Sequence, residues 1–115
     1  DILIETPLDG LVAINTTTSR EGLATDPATV EGIGNGGLSG APLTARAIEM
    51  IAYLSKKTEG RYPIIGVGGL MTPGDARRML DAGASLVQVY TGFIYNGPCF
   101  ARKVCKHLKR SSEPV

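Results

Sequence analysis

Three short segments hold the residue types that bind polar ligands, and each directly follows an apolar run. Asn15-Thr16-Thr17-Thr18 offers an amide and hydroxyls that can donate to and accept from a polar planar ring, although Asn and Thr after a strand also make ordinary turns. Gly66-Val67-Gly68-Gly69 lets the backbone approach a ligand and turn N–H groups toward an anion at the mouth of a helix. On this reading Gly68 and Gly69 are cofactor-binding candidates, and a larger side chain at Gly69 would crowd a phosphate. The same glycines also suit tight packing. Gln88-Val89-Tyr90-Thr91-Gly92 follows about twenty residues later. Two successive strand ends of this kind suit one shared phosphate site, as after the last strands of (β/α)8 barrels. Gly36-Gly37-Leu38-Ser39-Gly40 could bring a fourth set of amides to the same mouth.

The dinucleotide spacing G-x-G-x-x-G is not met, because Met71 stands where its last glycine belongs, and no P-loop lysine follows. No Ser-His-Asp set, carboxylate pair or metal cluster emerges. The single histidine, His107, lies among lysines and reads as solvated surface. Binding groups are present, and no evident base accompanies them.

The elements that must position these groups alternate between short apolar runs and helical patterns. Leu11-Val12-Ala13-Ile14, Ile64-Ile65-Gly66-Val67 and Leu86-Val87-Gln88-Val89 read as buried parallel strands. The Gly-rich stretch from Asn15 to Gly40 exceeds the usual βα loop and reads as a functional or mobile loop. A helix follows Pro42, with Leu43, Ala47, Ile51 and Leu54 inward and Lys56, Lys57 and Gly60 closing it. The next is capped by Thr72 in a Thr-x-x-Asp box with Asp75, buries Ala76, Met79 and Leu80, and stops at Gly83. A last helix, roughly Pro98 to Lys109, buries Phe100, Ala101, Val104, Cys105 and Leu108, with a frayed tail from Ser111 to Val115. Strand–helix order makes the class α/β, either a piece of a doubly wound sheet or three βα units of a (β/α)8 barrel.

Composition supports a packed domain: 115 residues with 43% hydrophobic and 20% charged side chains. No run approaches the roughly 20 apolar residues of a membrane helix, and Asp1 to Glu5 lacks the pattern of a signal peptide. Cys99 and Cys105 suggest neither a disulfide framework nor a metal site, so a reducing compartment is expected. Residues 1–40 carry six acids and one base, and residues 41–115 carry five acids and eleven bases. Arg102, Lys103, Lys106, Lys109 and Arg110 account for much of that excess. They complement a helix C-terminus and solvate its outer face, and no interleaved aromatics suggest a nucleic-acid patch.

Taken together, Asp9 to Thr17, Gly36 to Gly40, Ile64 to Gly69 and Leu86 to Tyr95 resemble the C-terminal third of the dihydroorotate dehydrogenases. The match runs from about Asp9 to about Leu108. The segment Tyr90-Thr91-Gly92-Phe93-Ile94-Tyr95 with Gly97-Pro98 resembles the quinone-using class 2 branch. The resemblance implies an FMN-dependent (β/α)8 barrel that oxidises dihydroorotate to orotate in pyrimidine biosynthesis and passes electrons to quinone, peripheral on the cytoplasmic side of the membrane. It implies that Asn15 and Thr16 bind the orotate ring, and that Gly40, Gly69, Tyr90 and Thr91 hold FMN, the last three around its phosphate. Ile14 departs from the family's threonine near the flavin, and Asp1 to Leu8 from its helix before the strand. The family's serine base, flavin-contacting lysines and membrane-meeting helices all precede such a segment. Residues 1–115 are thus expected to be the C-terminal portion of the FMN-binding domain, inactive alone. They should self-associate or need the N-terminal part, because strand faces cut from a barrel become open apolar surface, for which Ile65, Val67, Val87 and Val89 are candidates depending on the pleat. Another phosphate-binding barrel enzyme, or a βα module whose glycines only pack, are the competing readings.

Overall fold

The computed structural model describes residues 1–112. A short helix α1 (Ile2–Glu5) precedes β1 (Leu11–Ala13), and α2 (Pro27–Ile33) lies within the long loop. A single 3-10 turn (Ala41–Leu43) leads into α3 (Thr44–Lys57), followed by β2 (Ile64–Val67), α4 (Pro73–Ala82) and β3 (Leu86–Gln88). The described chain ends with α5 (Thr91–Asn96) and α6 (Phe100–Ser112). The strands form one parallel sheet in the order β1-β2-β3, open at both edges, so the α/β class and the consecutive βα units are as expected.

Register assigns the two faces of the sheet. Ala13, Gly66 and Val87 are aligned and face the helices, as are Leu11 and Ile64 one step earlier. There Ile64, Ala47, Ile51, Ala76, Met79, Leu70 and Phe100 form a closed core. A Cβ on Gly66 would lie 2.8 Å from Ile51 Cδ1, 3.3 Å from Ala84 Cβ and 3.5 Å from Met79 Sδ, so this glycine seats α3 and α4 against the sheet.

The opposite face carries Val12, Ile65 and Leu86 in register. Val12 is 56% exposed and Leu86 63% exposed. This corrects two expectations. β3 is an exposed edge rather than a buried strand, because no helix covers its outer face and no fourth strand pairs with it among the described residues. The open apolar surface centres on Val12 and Leu86, with Ile65 and Val67 half-buried beside them, whereas Val87 and Val89 pack on the helix side.

α6 also packs more narrowly than its sequence suggests. Phe100 and Val104 are buried and Leu108 is half-buried, a single row at i, i+4, i+8 against α4, which leaves Ala101 and Cys105 outside it and exposed. Cys99 precedes the helix and is likewise a free, exposed thiol. The tail begins later than expected: the Ser111 and Ser112 hydroxyls donate to the carbonyls of His107 (2.8 Å) and Leu108 (2.9 Å), inside α6. Glu113 to Val115 lie outside the described residues.

The cap of α4 is the best-defined polar feature of the fold. Thr72 Oγ1 accepts from the Asp75 N–H at 3.2 Å, while Asp75 Oδ2 accepts from the N–H groups of Thr72 (2.9 Å) and Met71 (3.0 Å). Arg78 adds an ion pair to the other carboxylate oxygen. Burial alone would raise the Asp75 pKa. The hydrogen bonds from Arg78, the two backbone N–H groups and Thr72 outweigh it and hold the carboxyl below the usual aspartate value. A lowered folded-state pKa contributes stability that is complete above the unfolded value of about 3.9 and is lost as pH falls through the folded value. Asp75→Asn is therefore expected to cost on the order of 1–2 kcal/mol at pH 7 in urea unfolding. The gap to the parent should shrink when the measurement is repeated near pH 3; a gap independent of pH would show that the charge contributes nothing.

Candidate functional site

Parallel strands deliver their C-terminal ends to one rim, and the three ligand-type segments meet there. Asn15, Thr16, Gly40, Gly68, Gly69, Tyr90 and Thr91 all line a single cavity of about 450 Å³, together with Val12, Ile14, Val67 and Gln88 from the open face of the sheet. The lining contains no carboxylate, amine or imidazole. It is a binding surface of amides, hydroxyls and backbone N–H groups, with no group that could take a proton at neutral pH. Among the described residues there is also no His/Cys/Asp/Glu cluster able to hold a metal ion.

The β1 end forms its own turn. Asn15 Oδ1 accepts from the Thr16 N–H at 2.8 Å, so the amide oxygen is engaged locally, while no bond from Nδ2 is found among the described residues. Asn15 lines the cavity with its Nδ2 unpartnered among the described residues, while its oxygen is already shared with the backbone of its own turn.

The β2 end is where glycine matters most. At φ +71°, Gly69 adopts a left-handed conformation, and a Cβ there would strike the backbone nitrogen, Cα and hydroxyl of Thr44. Thr44 Oγ1 in turn donates to the Gly69 carbonyl at 2.6 Å. A larger residue at 69 would thus dislodge the start of α3 before it crowded any ligand, a correction to the sequence expectation. Gly66, by contrast, is a packing residue and lines no part of the cavity.

At the β3 end, Tyr90 and Thr91 open the short helix α5. Gly92 sits where a Cβ would strike the Leu70 carbonyl, and Asn96 Nδ2 donates to the carbonyls of Met71 (3.0 Å) and Gly92 (2.8 Å), so α5 is tied to the loop after β2. The backbone N–H groups of Gly69, Tyr90 and Thr91 find no acceptor among the described residues. Three free donors around one concavity, with no side-chain charge in the way, suit a phosphate.

The fourth segment closes the rim. Thr17 and Leu38 exchange two backbone hydrogen bonds, of 3.0 and 2.7 Å, which fold the long loop back so that Ser39 and Gly40 reach α5. Ser39, which its place inside a glycine run does not mark as a site residue, hydrogen-bonds Thr91 Oγ1 at 2.9 Å. A hydroxyl residue flanked by glycines before a helix was the only signal in the sequence. Arg20, also unremarked, donates to the carbonyls of Thr17 (3.3 Å) and Gly36.

Comparison with known proteins bears on this geometry. The profile of the family described as dihydroorotate dehydrogenase matches residues 1–111. The protein named dihydroorotate dehydrogenase (quinone) of Kineococcus radiotolerans is 51% identical over 111 residues, covering 96% of this chain and 30% of its own length. Its namesake in Salinispora arenicola is 57% identical over 94 residues, covering 81% and 27%. A crystal structure of ligand-free DHODH from Eimeria tenella superposes with a TM-score of 0.84 at 43% identity, over 94% of this chain and 29% of that one. The chain spans about 30% of the length of the curated relatives it matches. It belongs to the dihydroorotate dehydrogenase family.

Proposed function

We propose that this chain is the FMN-phosphate and orotate-binding wall of a quinone-dependent dihydroorotate dehydrogenase of pyrimidine biosynthesis. One observation carries the reading: seven residues singled out by type and spacing line one cavity whose free backbone donors suit a phosphate. The relatives' shared name supplies the substrate and the acceptor. Gly69, Tyr90 and Thr91 would hold the phosphate through N–H groups, with Gly40 and Gly68 allowing close backbone approach. Asn15 donates to a pyrimidine carbonyl, and Thr16 offers a hydroxyl beside it. The chemistry such a flavin supplies is two-electron oxidation of the substrate, the electrons then passing to quinone.

The residues of this chain bind and orient. The proton taken from dihydroorotate goes to a base outside the cavity lining, which holds none. The chain is thus one portion of an FMN-binding domain. Since quinones dissolve in lipid, the assembled enzyme works as a peripheral protein at the cytoplasmic side of a membrane. No helix among the described residues is long and apolar enough to cross one.

The test is a chimera in which residues 1–111 replace the matching segment of the Kineococcus radiotolerans protein. It should purify with FMN absorbance and reduce a quinone with dihydroorotate, while residues 1–115 alone self-associate and show no turnover. A folded chimera without flavin, or turnover by the isolated chain, would sink the proposal.

Two substitutions in the chimera separate the subsites. Asn15→Ala is expected to weaken orotate binding by roughly tenfold or more, from a lost buried hydrogen bond of about 1–3 kcal/mol, with FMN retained. Unchanged orotate affinity would reduce Asn15 to a turn residue. Thr91→Asp suits the first turn of a helix but sets a carboxylate beside the phosphate, so FMN affinity should fall at least about tenfold in fluorescence titration. Retention at the parent level would place the phosphate elsewhere.

A further inference from the structure

We infer that Ser39 is a positioning residue that joins the substrate-binding turn to the cofactor-binding helix, an inference that rests on the FMN and orotate reading above. The segment 36–40 is fastened at both ends. At one end it is held to the β1 turn by the Thr17–Leu38 backbone pair, by Arg20 on the Thr17 and Gly36 carbonyls, and by Gly37, where a Cβ would collide with the Thr16 hydroxyl. At the other end it meets α5. Ser39 makes the only side-chain hydrogen bond between the segment and that helix among the described residues, at 2.9 Å. Gly40, at φ +91°, brings its Cα so close that a Cβ would lie 3.2 Å from Thr91 Cγ2. One bonded path therefore runs from Asn15 and Thr16, through Leu38 and Ser39, to Thr91.

The hydroxyl pair has a chemical consequence beyond tethering. Each hydroxyl carries one proton, so when one donates to the other, the acceptor keeps its own proton for a third partner. Both Ser39 and Thr91 line the cavity, so on the reading above that proton would be offered to an oxygen of the phosphate. Thr91 is β-branched with few χ1 choices, so a bond to Ser39 selects the rotamer that aims this donor. Ser39 thus acts on the cofactor through Thr91, and on the substrate turn through Leu38 and Thr17.

The experiment is a double-mutant cycle in the chimera with Ser39→Ala, Thr91→Val and the pair, read by FMN titration and by the orotate-induced change in flavin absorption. Ser39→Ala should weaken FMN binding roughly three- to tenfold, the scale of one net hydrogen bond, and diminish the orotate-induced change. The double variant should be no worse than Thr91→Val alone, and Ser39→Thr, which keeps the hydroxyl, should restore both readouts. Losses that multiply in the double variant, or a Ser39→Ala protein with parent-like titrations, would overturn the inference while leaving the FMN reading intact. A parent chimera that binds no flavin would instead overturn that reading and this inference with it.

Discussion

The geometry of the rim depends on how closely two helices approach the middle strand, and the missing side chain of Gly66 sets that distance. Ile51 from α3 and Met79 from α4 come together over it, with Ala84 completing the contact. Any side chain there would wedge α3 and α4 away from β2, and the loops that begin and end those helices would move with them. Thr44, at the start of α3, is the residue against which Gly69 turns, and its hydroxyl donates to the Gly69 carbonyl, so the packing under the sheet reaches the binding surface through this contact.

The sequence was informative where local chemistry decides structure. The Thr72–Asp75 box and the Gly83 stop formed as written, because caps are short-range and their donors and acceptors lie within four residues. The three strands were legible from continuous apolar runs. The ligand-type residues were legible as a set because a parallel sheet leaves their segments no other side to occupy. What the residues could not tell was decided at longer range. Leu86 looks as buried as Ile64 in the sequence, yet one lies on an open edge and the other in the core. Ala101 and Cys105 have the right periodicity for an inner face, yet α6 meets α4 along a single row. The long loop conceals both α2 and a two-bond staple, since the antiparallel Thr17–Leu38 bridge is a tertiary contact with no periodic signature.

The site divides in the same way. Residue types located it, while the direction of each group needed the fold. The Asn15 oxygen is shared with its neighbour's N–H, and the missing side chain of Gly69 makes room for Thr44; neither fact has a signature in residue type. Ser39 and Arg20 make bonds across spans of 52 and 16 residues, which no window of sequence connects.

The two faces of the sheet also differ in what covers them. On the helix side, α3, β2, α4 and β3 pack against near neighbours in the chain, contacts that close with little loop entropy, whereas β1 reaches the same core only by pairing Leu11 with Ile64 across the long loop and α3. Val12 and Leu86, on the other side, flank Ile65 and are covered by no helix among the described residues. One face of the sheet is thus packed, while the other presents apolar side chains of the kind that adhere to any apolar surface they meet.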